Sequence, residues 1–168
     1  MKRKNQLVLT LIVLLAVFFI DRITKLLATH YLEGKNAISF FYNTVVLEYV
    51  ENKGAFLSLG SDWPDYVKYI ALLVVPIAVC FYGLYYCAFK LTDKKQVVVF
   101  VCIIGGGLGN LIDRVFNDFS VVDFLNVGIA SFRTGILNVA DMSVTFGIVY
   151  LVIEQFKGNR LRQVKPKV

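Results

Sequence analysis

The sequence predicts a mainly α-helical membrane protein with four transmembrane helices, both termini on the cytoplasmic side, and a small β-rich region on the outer side. Three observations carry that expectation. First, 57% of the 168 residues are hydrophobic and only 18% charged, with a mean hydropathy of +0.65; a soluble domain of this size could not bury so much apolar surface. Second, the apolar residues gather into four long runs. Third, the basic residues, which outweigh the acidic ones 18 to 12 for a net charge of +6, gather between those runs. The basic excess therefore points to a membrane surface rather than to nucleic acid. The whole chain, residues 1–168, is expected to form one integral-membrane domain.

The first span is expected over about 7–28. Its apolar run, Leu7 to Ile20, is short of the ~20 residues that cross a bilayer, but helical character can continue through Asp21 to Ala28. Lys2, Arg3 and Lys4 before it would also suit a signal peptide, yet Asp21-Arg22-Ile23-Thr24-Lys25 follows instead of a small-residue cleavage site, so the segment is read as a retained span. The second span, 69–89, holds Pro76 and no charge; Pro76 is expected to kink it, as membrane helices tolerate. The third covers 97–114 and the fourth 138–156, with Asp141 in its first turn. Cys80, Cys87 and Cys102 all fall within apolar segments, and an odd number so placed reads as small hydrophobes rather than a disulfide framework.

Orientation follows from the basic clusters: Lys2, Arg3 and Lys4; Lys90, Lys94 and Lys95; and Lys157, Arg160, Arg162, Lys165 and Lys167. All three fall on one side of a four-span topology, the cytoplasmic side by the positive-inside rule. The tail 157–168 is then cytoplasmic and expected to be mobile from Gly158. The outer loops are 29–67 and 115–136. Within the first, Ala37 to Leu59 is rich in Phe, Tyr, Val and Leu and is expected to form short strands resting on the outer leaflet. Trp63, Tyr66 and Tyr69 suit an aromatic belt where the second span begins.

Ionisable residues at the span ends ask for a reason, since a charge at mid-bilayer costs at least ~2.5 to 3.5 kcal/mol. Asp21 lies about 21 Å beyond Leu7 and Asp113 about 24 Å beyond Val97 at the helical rise, both toward the outer boundary. Asp141 opens the fourth span from that side, and Asp123 lies in the loop before it. Arg22, Lys25, Asn52, Asn110, Arg114 and Asn138 are placed at the same boundary. Motifs for metal hydrolysis, a serine nucleophile and a phosphate-binding loop are absent: the single histidine is His30, read as an interfacial residue, and Gly105 to Asn110 lacks a Lys-Ser/Thr ending. Gly105 and Gly109 instead have the spacing of close helix packing. What remains is ion passage or carboxylate chemistry, in which one carboxylate keeps a proton while another draws one from water. Spacing alone does not select the pair.

These residues carry a resemblance. The chain resembles the bacterial lipoprotein signal peptidases, the signal peptidase II family of membrane aspartic proteases, in Asp21-Arg22-Ile23-Thr24-Lys25, Asn52-Lys53-Gly54-Ala55-Phe56, Gly109-Asn110-Leu111-Ile112-Asp113-Arg114, Val121-Val122-Asp123-Phe124 and Leu137-Asn138-Val139-Ala140-Asp141. The resemblance implies that Asp123 and Asp141 are a catalytic dyad. It also implies a prolipoprotein substrate cut before a diacylglyceryl-modified cysteine, in a bacterial cytoplasmic (inner) membrane with the site toward the outer leaflet. By the same resemblance Asn52, Gly54, Asn110, Arg114 and Asn138 bind substrate or support the dyad, Asp21 and Lys25 support or bind, and Asp113 pairs with the adjacent cation; Arg114 could alternatively contact head group or peptide carbonyls. Arg22 stands where Gln is frequent, Leu137 where Phe is, and Ala55 is single where a pair is common. No metal or cofactor is expected, and no partner beyond substrate and membrane lipids. Rival readings are a proton-coupled transporter, which would need polar residues through the cytoplasmic halves of the spans, and a non-catalytic homologue that binds lipoprotein precursors. The segment Ala37 to Leu59, with Gly54 as hinge, is expected to gate the site.

Overall fold

The structure, a computed structural model, describes residues 3–164, with side chains described through 157. Among the described residues, four helices are long and apolar enough to cross a membrane: α1, Arg3–Leu32; α2, Asp65–Phe89; α3, Lys94–Phe116; and α4, Val139–Val164, in which Val139–Lys157 meets that condition. They match the four expected spans, each extended by a few residues at one or both ends. Large apolar side chains such as Leu11, Ile12, Val79 and Phe146 stay exposed along them, which is the surface a bilayer would cover. That surface accounts for the hydropathy no soluble core could absorb.

The central helix is α3, and glycine lets its neighbours close on it. A Cβ on Gly105 would lie 3.1 Å from Val17 of α1, one on Gly106 would lie 2.5 Å from the Ala140 carbonyl oxygen of α4, and one on Gly107 would lie 3.3 Å from the Cys80 Sγ of α2. The glycine run is thus a packing surface for three partners. Cys80, Cys87, Val97, Val101, Ile104 and Leu111 form the apolar core beside it, and the cysteines are free thiols. At the far end Gln6 donates from Nε2 to the carbonyls of Cys87 (2.5 Å) and Leu91 (2.6 Å), closing the end of α2 where helix carbonyls lack partners. Asp93 caps α3 by accepting from the Gln96 N–H at 2.8 Å.

A π-helical turn, Ile70–Val74, ends two residues before Pro76 in α2. Pro76 has no N–H to donate into the preceding turn, so the regular ladder is already broken there. α4 continues as helix through Val164, Gly158 included, as a lone glycine is tolerated within a helix. Lys2, Lys165 and Lys167 lie outside the described residues.

At the other end of the bundle stands a four-stranded antiparallel sheet in the order β1-β2-β3-β4: Ile38–Phe40, Val45–Asn52, Val121–Ile129 and Phe132–Leu137. Strands were expected in the first long loop. The second loop also folds into strands, so Asp123 sits in β3 rather than in a loop. Val46 pairs with Asn126 and Val50 with Asp123, with an irregularity between Leu47 and Val50. The sheet rests on the end of α1, where Val122 packs with Ala28 and Leu32.

Candidate active site

Strand alternation aims Asp123. Val122 turns toward α1, while Val121 and Asp123 turn the opposite way and line a cavity of about 310 Å³. Asp123 is buried, and both its carboxylate oxygens are held: Oδ2 accepts from Asn52 Nδ2 at 3.0 Å and Oδ1 from Asn138 Nδ2 at 2.6 Å. Asn52 ends β2, and its amide is fixed by its own turn. Its Oδ1 accepts from the Gly54 N–H at 2.9 Å, and its Nδ2 also donates to the Ala55 carbonyl at 3.1 Å. A side chain at Gly54 would meet the Ser58 carbonyl at 2.6 Å, so this turn closes only with glycine there.

Helix capping aims Asp141. The Asp141 N–H donates to Asn138 Oδ1 at 2.9 Å, and the Asn138 N–H donates back to Asp141 Oδ2 at 3.2 Å. This is a reciprocal capping box at the start of α4, where the helix end also favours negative charge. The other oxygen, Oδ1, accepts from Asn110 Nδ2 of α3 at 2.9 Å. Asp141 lines the same cavity as Asp123. Asn138 thus holds one aspartate through its backbone and carbonyl oxygen and the other through its amide nitrogen.

Behind the pair lies a buried ion cluster. Lys25 Nζ is 2.9 Å from Asp21 Oδ2, 2.7 Å from Asp113 Oδ2 and 2.8 Å from Asn110 Oδ1. The two carboxylate contacts are charge contacts rather than well-directed hydrogen bonds. Because the Asn110 oxygen faces this ammonium, its amide nitrogen is left to face Asp141. Asp21 Oδ1 accepts from the Ala140 N–H at 3.0 Å, tying α1 to the first turn of α4. Asp113 takes its second cation from Arg22.

That arrangement corrects one expectation. Asp113 does not pair with the adjacent Arg114; consecutive helix residues point about 100° apart, and Asp113 meets α1 instead. Arg114 turns to the cavity, donating from Nη2 to the Gly54 carbonyl at 2.7 Å and lying 6.0 Å from the Phe119 ring centroid. Of the ten expected site residues, Asn52, Asn110, Arg114, Asp123 and Asp141 line the cavity, Gly54 and Asn138 hold those residues by hydrogen bonds, and Asp21, Lys25 and Asp113 form the supporting cluster. Arg22, placed by the sequence at the same boundary but not among the expected site residues, belongs to that cluster too. His30 stays apart, its ring edge-on to Tyr31 at 4.7 Å.

The cavity has an apolar lower wall that sequence reasoning missed: Leu72 and Pro76 from α2, Leu111 from α3, and Val144 and Thr145 from α4. The available signal was helical spacing, since Val144 and Thr145 follow Asp141 by one turn. Electrostatically, burial pushes the Asp123 carboxyl up to about 6; the Asp141 charge adds to this, while the amides of Asn52 and Asn138 and the charge of Lys25 oppose it. The site therefore offers two amide-held carboxylates, at least one of them reluctant to ionise, above an apolar trough. No group of three or more His, Cys, Asp or Glu among the described residues is arranged to hold a metal ion.

Comparison with known proteins identifies the family. A family model described as signal peptidase (SPase) II matches residues 13–157. A lipoprotein signal peptidase of Borrelia hermsii (strain HS1 / DAH) is 32% identical, covering 94% of this chain and 95% of its own length. One from Treponema denticola is 33% identical over 96% of this chain and 99% of its own length, and one from Pseudoalteromonas atlantica is 38% identical over 85% and 86%. A bacterial membrane enzyme solved by the in meso method at 2.3 Å resolution shares the fold, with a TM-score of 0.80 at 22% identity over 95% of this chain and 94% of that one. Since the family match reaches into all four helices and takes in the sheet and the cavity, the chain is a peptidase and belongs to the signal peptidase II family.

Proposed function

We propose that the chain is an aspartic endopeptidase that removes the signal peptide from prolipoproteins, cutting before a diacylglyceryl-modified cysteine with Asp123 and Asp141 as the dyad. The observation that carries this reading is the sharing of Asn138: two carboxylates from separate elements face one cavity and are oriented by the same residue. An apolar trough below a polar rim suits a substrate that is apolar on one side of the scissile bond and polar on the other.

One aspartate, ionised, takes a proton from water as that water attacks the scissile carbonyl carbon. Its protonated partner donates a hydrogen bond to the carbonyl oxygen as negative charge develops there. Collapse of the tetrahedral species breaks the C–N bond, and the pair returns a proton to the leaving amine. Charge balance supports a single shared proton. Arg22, Lys25 and Arg114 supply three positive charges against four carboxylates, Asp21, Asp113, Asp123 and Asp141, so the cluster is neutral when one carboxylate is protonated. The two carboxylates are coupled, and which of them holds the proton once substrate is bound is a property of the pair and is left unassigned.

The inner half of the bundle is apolar in its core, and the buried polar residues there, Gln6 and Thr10, cannot titrate. This supports a dead-end cavity rather than a proton path. Lys4, Lys90, Lys94 and Lys95 lie at the end of the bundle away from the sheet, which supports a bacterial inner-membrane orientation with the site toward the outer leaflet.

The test is cleavage of a purified diacylglyceryl-modified prolipoprotein in detergent with a metal chelator present. Wild type is expected to cut, and folded Asp123→Asn and Asp141→Asn proteins are expected to fail. Cutting by either variant would sink the dyad, and loss of wild-type activity to the chelator would sink the metal-free mechanism.

A further inference from the structure

The sheet ends, on the side away from Asp123, in two hairpin tips that lie together. The turn between β1 and β2 and the turn between β3 and β4 are joined by a bond from the Gly128 N–H to the Thr44 carbonyl (2.8 Å) and one from Arg133 Nη1 to the Asn43 carbonyl (2.8 Å). The side chains they present are large, apolar and almost wholly uncovered: Phe41 at 78%, Tyr42 at 106%, Ile129 at 75% and Phe132 at 89% exposure.

The backbone makes this choice of residues informative. Phe41, Tyr42, Asn43 and Ala130 have φ of 51°, 53°, 67° and 51°, a left-handed conformation that glycine adopts freely and aromatic residues resist. A turn that only needed to reverse the chain would be served better by glycine. Two aromatic rings held in that conformation and pointed away from the protein are there for something outside it.

The surface is continuous with the lipid-facing side of α1. Ile38, at the root of β1, lines an apolar pocket with Leu27 and Tyr31, which are 50% and 58% exposed on that helix; Phe40 then carries the apolar surface on to Phe41. We infer that the two tips insert together into the leaflet on the sheet's side of the membrane, as a second membrane contact besides the helices. Asp123 and Ile129 are six residues apart on β3, about 20 Å in a strand. With α1 holding the sheet near one end and the tips in lipid at the other, the strands run along the membrane surface, and the dyad is kept at the depth of the head groups. Tyrosine is suited to that depth, and phenylalanine to the boundary between head groups and acyl chains. This rests on the helices crossing a bilayer and is independent of the chemistry proposed for the dyad.

The experiment uses the single tryptophan, Trp63. In a Trp63→Phe background, Tyr42→Trp and, separately, Phe132→Trp proteins are reconstituted into phosphatidylethanolamine and phosphatidylglycerol vesicles, with part of the lipid carrying brominated chains. Both tryptophans are expected to emit at shorter wavelength than when exposed to water and to lose emission to the brominated lipid, more with bromine near the glycerol than near the chain end. Water-like emission quenched by iodide and unchanged by brominated lipid would overturn the inference. So would shielding from both quenchers that strengthens as the protein density in the vesicle rises, which would make the tips a contact between copies of the chain.

Discussion

Substituting Asp123 by Asn should change stability in a way that reverses with pH. Burial raises the Asp123 carboxyl from an ordinary 3.8 to about 6, and at ~1.36 kcal/mol per pH unit this costs the folded state about 3 kcal/mol once the group is ionised. Below about pH 4 both folded and unfolded chains hold the proton, so the cost is absent; it grows as pH rises through about 4 to 6 and is complete above about 6. Asparagine never carries that cost, but it introduces another. Both oxygens of Asp123 accept from amide nitrogens, of Asn52 and Asn138, whose own oxygens are committed to the N–H groups of Gly54 and Asp141. Whichever way an amide at 123 is turned, its NH2 faces a donor, a pH-independent penalty of about 1–3 kcal/mol.

The variant should therefore be less stable than wild type by about 1–3 kcal/mol near pH 4 and equal or more stable, by up to about 2 kcal/mol, near pH 8. The assay is thermal unfolding of both proteins in the same detergent across that range. The gap between their midpoints should move by roughly 6–12 °C, taking about 2–4 °C per kcal/mol for a chain of this size. A gap that stays constant with pH would refute the buried, ionisation-resistant Asp123.

Gly109→Ala would place a Cβ 2.6 Å from Asp21 Oδ2, forcing Asp21 from Lys25 and from the Ala140 N–H; a loss of about 3–5 kcal/mol is expected, the range for breaking a buried ion pair, and unfolding in detergent would show it. Asn138→Ala removes the cap of α4 and a partner from each aspartate, so it should cost about 1–2 kcal/mol in stability and lower kcat by ~10²-fold or more in the prolipoprotein assay, because positioned polar groups act on the reacting centre. Lys53→Ala breaks the Lys53–Asp118 bridge, whose members sit in water; melting temperature and cleavage should both stay unchanged, as for exposed pairs generally.

Much of the molecule is legible in its amino-acid order. The four spans are local facts: hydropathy over some twenty consecutive residues decides whether a helix can lie in lipid, and the distribution of Lys and Arg gives a topology without any contact being known. The glycines at 105 and 109 likewise announce close packing by their spacing. Motif resemblance, rather than spacing, singled out Asp123 and Asp141 from the four boundary carboxylates.

Tertiary structure decided the rest, because the deciding partners are far apart in the chain. Asp123 looked like a loop residue until Val50, 73 positions earlier, paired with it in the sheet, since a short strand has little local signal and is stabilised by its neighbours. Asp113 looked like the partner of Arg114, its neighbour in sequence, but the two point in different directions from α3, and only the approach of α1 shows that Arg22 and Lys25 neutralise it. The orientation of the Asn110 and Asn138 amides, which determines what Asp123 and Asp141 can accept, follows from Lys25 and from the capping box together. Composition and order thus set which segments enter the membrane, where the water-to-lipid free energy of each segment is nearly independent of the others. Long-range packing alone set which charges meet, because ion pairs and hydrogen bonds depend on distances of a few ångströms between elements that the sequence leaves unconnected.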